Sequence, residues 1–435
     1  VTIDVAIIGG GPVGLTLANL LARRGVRLKV FEKQARPYPL PRAIHFDGEA
    51  MRCFQAAGLA EAVLPHTHVG KGMLFQSPEG ETLIDWSRGQ ELGPMGWHES
   101  YRFFQPGLES ALSEGLRQRD PDALLRGAAV AAVSDGAVRL EDGRLFEAAH
   151  IVACDGAGSP TRAALGIGVE DLGFQERWLV VDLKLTRARD DLGDHSIQFC
   201  DAEKPATYVR GVGPWRRWEM RLRPEDPDPM PEALIWQRLQ RWITPADARL
   251  ERGAIYTFRA QLAQQWQRGR ILLAGDAAHQ MPPFMGQGMC AGIRDAANLW
   301  WKLLAVLNGY DGALLETYQT ERAANVRAFI EKSVALGQLI NQTAQDHLPR
   351  GKMASIWPDL GPGLGPRDGI GGRLVPQVLS PEGRSDDLNR HLCHQATPDG
   401  PVTRPDGYAL GPATRATEDL ALALNRCLAS RAPSR

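Results

Sequence analysis

Val5 to Ile8 form an unbroken apolar run behind Asp4. A run without polar alternation is the signature of a strand covered on both faces, as in a buried parallel sheet. Gly9-Gly10-Gly11-Pro12 interrupts it. Leu15, Leu17, Ala18, Leu21 and Ala22 then recur at helical spacing up to Arg24, and Gly25 ends the pattern. Val26–Phe31 is a second apolar run, closed by Glu32. Strand, glycine loop, helix and strand make one βαβ unit. Helical spacing returns over 47–64 and 104–119. Residues 137–154 predict a hairpin leading into a strand, Ile151–Cys154. Apolar and polar residues alternate over 178–223, which predicts a sheet interrupting the nucleotide-binding domain. Strands are expected again over 255–275, and a long helical zone from about 287 to 342.

Pro and Gly crowd the stretch 349–376, which reads as a linker. The expected division is therefore a first part of the nucleotide-binding domain (1–177), an inserted sheet (178–258), a second part with long helices (259–348), the linker, and a small, weakly patterned module (377–435). There is no internal repeat.

Composition narrows the function classes. The chain of 435 residues is 43% hydrophobic and 23% charged, the balance of a globular protein with a sizeable core. A net charge of -1 gives no field that would favour nucleic acid or an anionic membrane. No apolar run approaches the roughly 20 residues that span a bilayer. The Val5–Ile8 run is too short for a signal-peptide core, and the lack of an initiator Met suggests a trimmed N-terminus. Cys53, Cys154, Cys200, Cys290, Cys393 and Cys427 are scattered without a Cys-x-x-Cys pair. That removes support for a disulfide framework, a thiol redox centre or a structural zinc site, and no metal is expected. A reduced, cytoplasmic protein follows, with homodimer formation left open.

Gly9-Gly10-Gly11-Pro12-Val13-Gly14 fits G-x-G-x-x-G. Gly9 permits the tight turn, Gly11 lets the backbone approach a pyrophosphate, and Gly14 lets helix and strand pack closely. The helix N-terminus, with Pro12 at its start, offers free N–H groups and a positive dipole end to phosphates. Glu32 ends the second strand, where a carboxylate can hold ribose hydroxyls. Lys33 beside it is grouped with the site.

The glycine motif alone does not choose between dinucleotides. Two further stretches do: GRILLAGDAAHQMPPFMGQGMCAGIRDAANLWWK (269–302) and VACDGAGSPTR (152–162). The first resembles the second FAD fingerprint of the single-component, FAD-dependent aromatic hydroxylases, the group typified by para-hydroxybenzoate hydroxylase. The second resembles that group's Asp-Gly motif, which serves both FAD and NAD(P)H. The resemblance covers roughly residues 3–345, with three separated motifs in the right order. PRAIHFDGEAMR (41–52), VLPHT (63–67) and TYQTER (317–322) are most similar to the hydroxyphenylpropionate hydroxylases within the group.

The resemblance implies an α/β fold: a Rossmann-like FAD-binding domain with an inserted substrate-binding β-sheet, a helical segment and a small thioredoxin-like C-terminal module. It implies that Asp276 binds the ribityl chain of FAD and that Arg42 and Gln105 contact the cofactor. Read from position alone, Asp276 follows an apolar strand, so its carboxylate stands at a strand's carboxyl end; the alternative is a helix cap for the Ala277–His279 turn. Gly286-Gln287-Gly288 precedes a helix beginning near Met289, whose N-terminus can hold negative charge on a reduced flavin. Pro282 and Pro283 stiffen the adjoining loop, with an ordinary surface turn as the alternative. Asp155, Gly156 and Arg162 join the cofactor set, although Asp155 and Arg162 fit a loop ion pair equally well.

Only one complete dinucleotide fold is present, so NADH or NADPH must meet the flavin without a domain of its own. In the group, reduced flavin and O2 give a C4a-hydroperoxide, an electrophile that needs an electron-rich carbon. A phenol supplies one when it loses its proton, yet its free pKa is about 10, so a nearby base helps. His45 is the candidate, three residues after Arg42; the alternative is a packing histidine. Asp47 reads as a helix N-cap and His279 as structural. For a substrate carboxylate, Arg210 and Arg221 are the expected cations, with Arg216 and Arg217 nearby. Pro283 and Phe284 would close over the ring. Gly371–Pro376 and VTRPDGYALG (402–411) resemble parts of a thioredoxin-like domain, in a tail too short for a complete one.

The resulting expectation is NAD(P)H- and O2-dependent hydroxylation of a phenolic ring, on a substrate like hydroxyphenylpropionate. The rivals on this fold are a polyketide hydroxylase, a Baeyer–Villiger oxygenase and a non-oxygenating FAD-dependent reductase. A non-catalytic FAD-binding module is a different class again. A flavin halogenase is disfavoured, since no Lys-x-Trp-x-Trp-x-Ile-Pro motif occurs.

Overall fold

The computed structural model describes residues 2–341, 350–364, 369–389, 392–395, 397 and 400–429. Thr2–Ile8, Pro12–Ala22 and Leu28–Glu32 form the expected strand, helix and strand. The sheet they start runs in the order Gln267–Arg268, Ile271–Leu273, Leu145–Ala153, Thr2–Ile8, Leu28–Glu32, Leu124–Arg126. Every neighbouring pair is parallel except the first. The unbroken apolar run has a direct cause. Val5 and Ile7 point into a core shared with the helix residues Leu15, Leu17 and Leu21. Ala6 and Ile8 point the other way, onto Val138, Leu140 and Phe146 of the adjoining hairpin. Because the strands are parallel, the loops after Ile8, Glu32, Ala153 and Leu273 gather at one edge of the sheet, where such folds bind ligands.

The alternation over 178–223 is realised as a largely antiparallel sheet. Its order is His279–Gln280, Ala248–Ala263, Val169–Leu185, Trp215–Arg221, Ala206–Arg210, Ser196–Phe199, Gly72–Gln76, Thr82–Ser87, Gly351–Lys352. It extends past the expected bounds of 178–258, since its two long strands begin at Val169 and end at Ala263. It also takes in Gly72–Gln76, paired in parallel with Ser196–Phe199. Such pairing between distant segments leaves no local pattern to read. Leu179, Val181 and Trp218 face a separate core with Ile235 and Leu239, while Val180, Arg217 and Glu219 face a cavity.

The helical zones are more broken than their periodicity suggests. Gly48–Ala56 stops before Gly58, which sits at φ +71, and a second short helix, Ala60–Val63, follows. The zone from 287 divides into Gly288–Leu307 and Glu316–Ile340, with Gly309 at φ +92 between them. A small sheet joins His45–Asp47, Ser100–Phe103 and Thr67–Val69.

The tail, as far as it is described, forms three short antiparallel strands, His394–Gln395, Val402–Thr403 and Ala409–Gly411, and the helix Arg415–Ala429. Val402, Leu410, Leu424 and Leu428 belong to the main core. Buried ion pairs reinforce the attachment: Glu321 accepts from Arg404 at 2.8 Å and from Lys302 at 2.7 Å, and Arg52 meets Asp386 at 2.6 Å. Of the expected linker, residues 349 and 365–368 lie outside the described residues; of the expected module, 390–391, 396, 398–399 and 430–435 do.

Candidate active site

One cavity of about 680 Å³ runs from the glycine loop, along the strand-end edge, to the underside of the antiparallel sheet. The glycines divide the work at its first end. Gly9 has φ +107, and a Cβ there would lie 2.3 Å from the Cys154 carbonyl oxygen. A Cβ on Gly14 would lie 2.1 Å from the Gly9 carbonyl oxygen, so helix and strand touch there. A Cβ on Gly11 would meet nothing within 4 Å, because Gly11 opens onto the cavity with Pro12. Gly11 is thus free of any packing demand, which suits a pyrophosphate laid against its backbone. Glu32 holds the loop from below: its carboxylate accepts from Gly10 N–H and from Gln34 N–H, each at 2.8 Å. Lys33 is exposed and outside the cavity lining.

Arg42 lines the cavity with a largely exposed side chain, 3.8 Å from Glu109. Its segment is fixed from two sides. Gln105 accepts the backbone N–H groups of Arg42 and Ala43 at 2.9 and 2.7 Å and donates to Glu109 at 2.7 Å. Gln105 also lines the cavity, but both atoms of its amide are engaged in this bracket. Arg217, buried in the sheet, donates to the carbonyls of Arg42 and Pro41 at 2.6 Å and pairs with Asp182 at 2.7 Å.

Asp276 projects into the cavity and caps no helix; the turn Gly275–Ala277 is preceded by Ala274 and has no side-chain cap. Enclosure by the cavity walls lifts its carboxyl above the ordinary value, with His279 and Arg42 pulling the other way. Gly156 lines the cavity, whereas Asp155 and Arg162 stand behind it. They form no ion pair with each other. Asp155 accepts from Thr161 N–H at 3.0 Å, and Arg162 ties two loops by donating to the carbonyls of Ala277 (2.8 Å) and Ala157 (3.0 Å).

Gly286, at φ +64, turns the chain into the helix Gly288–Leu307, and Gly286 to Met289 line the cavity. The first N–H groups of that helix face the same space as the glycine loop and Asp276. The residues present therefore fit FAD: an open glycine loop for its phosphates, an uncapped carboxylate for a hydroxylated chain, and a positive helix end for the ring edge. Pro283 lies in the adjoining turn and lines the cavity. Phe284 reaches the cavity too, but it packs edge-on against Trp178 and Phe174 with centroids 5.3 and 5.7 Å away.

His45 lies beside this loop. Nδ1 is 3.4 Å from the Gly286 carbonyl oxygen and Nε2 is 3.1 Å from Ser100 Oγ. The partners assign the tautomer: Nδ1–H points at the carbonyl, and Nε2 accepts from the serine hydroxyl. Burial pulls the imidazole below its ordinary pKa; Asp47 and the Gly286 carbonyl oppose this, and Arg88 and Arg294 add to it. It is neutral at neutral pH, the form that takes up a proton. Asp47 caps the helix Gly48–Ala56, as expected, by accepting from Ala50 N–H at 2.9 Å. His279 is structural: it meets Asp295 at 2.6 Å, and Asp295 also accepts from Arg322 at 2.8 Å.

Arg210 lines the cavity, while Arg221 does not; it donates to the Ala202 carbonyl at 2.9 Å beyond the end of the cavity wall. Parity put Arg221 on the right face of its strand, but the strand outruns the cavity. Arg216 is buried and spent on the carbonyls of Gly213 and Trp215. Sequence reasoning passed over Ser100, Arg102 and Arg294. Arg294, on the helix Gly288–Leu307, donates to Glu49 at 2.6 Å and Gln287 at 2.9 Å and pairs with Asp47. The alternation Ser100-Tyr101-Arg102-Phe103 was the available signal, in a strand of only four residues.

Residues 2–333 match the family model described as the FAD binding domain. The chain is 42% identical over 358 residues to a probable NADH-specific resorcinol 4-hydroxylase of Rhodococcus jostii (strain RHA1), covering 79% of this chain and 66% of that protein. It is 38% identical over 375 residues to the 3-(3-hydroxy-phenyl)propionate/3-hydroxycinnamic acid hydroxylase of Mycobacterium sp. (strain JLS), covering 82% and 64%. The chain thus spans just under two thirds of the length of these relatives. Among solved structures it is similar to the p-nitrophenol 4-monooxygenase of Pseudomonas putida DLL-E4, with TM-score 0.70 and 23% identity over 79% of this chain and 91% of that one. It is also similar to aklavinone-11 hydroxylase in complex with FAD and aklavinone, with TM-score 0.78 and 21% identity over 98% and 99%. At these identities the structural likeness speaks for the fold. Together with the open glycine loop and the free carboxylate of Asp276, the matched family model shows that this chain belongs to the FAD binding domain family.

Proposed function

We propose that the chain is an FAD-dependent monooxygenase that hydroxylates a phenolic ring with NAD(P)H and O2. The observation that carries this reading is the single cavity that joins the glycine loop and Asp276 to the His45–Ser100 pair. Gly11 and Pro12 take one end of FAD, on a loop whose shape Gly9, Gly14 and Glu32 fix from outside the cavity, and Asp276, Arg42 and Gly286 to Met289 take the other. Bound FAD supplies electron exchange with NAD(P)H and the activation of O2. The relative named as NADH-specific favours NADH as the donor.

The chain's own residues do the rest. Neutral His45 accepts the phenolic proton through Ser100, which raises electron density on the ring. The antiparallel sheet above and the Pro283–Met285 turn beside the ring keep water from the reacting centre. Arg217 and Gln105 hold the Arg42 segment, and with it His45, at a fixed place against the cofactor. The six free cysteines support a reducing, cytoplasmic setting, and among the described residues no helix is long and apolar enough to cross a membrane. The test is phenol-stimulated NAD(P)H oxidation with product analysis in labelled O2. One labelled oxygen on the ring is the expected result; a lactone product, or substrate reduction without oxygen incorporation, refutes the reading.

A further inference from the structure

The tail reaches the wall of the cavity through one buried turn. Gly407, at φ +83, donates its N–H to the Arg404 carbonyl at 3.0 Å, and Arg404 N–H donates to the Tyr408 carbonyl at 2.8 Å. Arg404 and Asp406 pair at 2.6 Å and fasten this turn to two helices. Arg404 binds Glu321 of Glu316–Ile340 at 2.8 Å, and Asp406 accepts from Asn298 of Gly288–Leu307 at 2.9 Å. A Cβ on Gly407 would lie 2.9 Å from the Arg52 guanidinium carbon, so the turn also touches the helix Gly48–Ala56. These contacts fix where Tyr408 stands.

Tyr408 is 4% exposed, and its hydroxyl donates to one Glu49 oxygen at 2.8 Å. The other Glu49 oxygen accepts from Arg294 Nε at 2.6 Å. Arg294 Nη1 donates to Gln287 at 2.9 Å, and Nη2 meets Asp47. Gln287 and Asp47 line the cavity. Three hydrogen bonds in series therefore join the tail to the start of the helix Gly288–Leu307. Burial lifts the Tyr408 phenol well above its ordinary pKa, and Glu49 adds to this, so the hydroxyl keeps the proton it donates.

Glu49 and Arg294 are themselves buried. A buried carboxylate that loses a donor is costly unless another group replaces it. Arg52, whose charge also acts on Glu49, is already taken by Asp386 and the Val375 carbonyl. Arg294 is the cation left to answer, at the expense of Gln287 and Asp47.

We propose that Tyr408 is a positioning residue for the cofactor: by holding Glu49 it sets how Arg294 shares its donors, and so fixes Gln287 at the wall of the cavity. The tail then shapes the surroundings of the flavin as well as closing the core. This rests on the reading that FAD lies against the start of the helix Gly288–Leu307, and it needs nothing from the phenol.

The test follows FAD release from the holoprotein, by the rise of free-flavin fluorescence, together with the visible absorbance band of the bound flavin. Tyr408→Phe removes only the hydroxyl. It should release FAD about 3- to 10-fold faster, part of the worth of a hydrogen bond to a charged group, and shift the band. Glu49→Gln keeps the tyrosine but weakens the hold on Arg294, and should move the same two readouts. Leu424→Ala, in the tail helix and outside the series of hydrogen bonds, should lower the urea midpoint and leave both readouts unchanged. Gln287→Ala should quicken release by itself, and adding Tyr408→Phe to it should change release little, because the effect travels through Gln287. Lower urea stability in Tyr408→Phe with release and band unchanged overturns the proposal and leaves Tyr408 a packing residue. A full additional loss from Tyr408→Phe in the Gln287→Ala protein overturns it as well. If Gln287→Ala alters neither readout, the placement of FAD at that helix start falls, and the proposal falls with it.

Discussion

His45 Nε2 lies 3.1 Å from Ser100 Oγ across neighbouring antiparallel strands, and both residues open onto the cavity. In His45→Gln, FAD binding and NAD(P)H oxidation should largely persist while product per NAD(P)H consumed falls and hydrogen peroxide rises. Ser100→Ala should act in the same direction. An unchanged ratio in both variants would remove the pair from the proton chemistry.

The same pair predicts a pH dependence. Burial lowers the His45 pKa, so the folded protein holds fewer protons than the unfolded chain in the window below the unfolded value of about 6.5. Stability from burying neutral His45 is fully present above pH 6.5 and is lost as pH falls through the folded pKa. Coupling should hold to a pH below 6.5 and then decline. A coupling curve centred at or above 6.5 would contradict the depressed pKa.

Two glycines in one loop should fail differently. Gly11 has extended backbone and open space beside it, so Gly11→Val should fold yet purify without FAD. Gly14→Ala would push a Cβ to 2.1 Å from the Gly9 carbonyl, so it should lower the melting temperature, at a cost of about 1–3 kcal/mol. Thermal melts with flavin quantified in the same samples separate the two.

Asp276→Ala should weaken FAD binding by about tenfold to a hundredfold, the loss of one charged acceptor. The KM for the phenol should move less. Unchanged FAD affinity would place Asp276 away from the cofactor.

Arg294 neutralises Asp47 and Glu49 and holds Gln287. Arg294→Met leaves two buried carboxylates uncompensated, a loss of about 3–5 kcal/mol. Urea unfolding should show this loss, and FAD release should quicken because Gln287 lines the cavity at the start of the helix Gly288–Leu307.

The sequence by itself determined what depends on neighbours along the chain. The apolar runs, the helical spacing after Gly11 and the glycine loop were legible because strand, turn and helix preferences act within a few residues. Asp276 and Gly286 were legible because their place after a strand or before a helix defines their surroundings. Tertiary structure alone decided what depends on distant segments meeting. It brought Gly72–Gln76 into a sheet with Ser196–Phe199, it ended the cavity short of Arg221, and it welded the tail to the core through Arg404 and Glu321. It also set Arg102 opposite His45, 57 positions away in the chain. Whether an arginine is solvated, spent on a carbonyl or left with free donors in a cavity is settled by burial and partner geometry. Alternation along a strand reports only the face a side chain takes, never what it meets there.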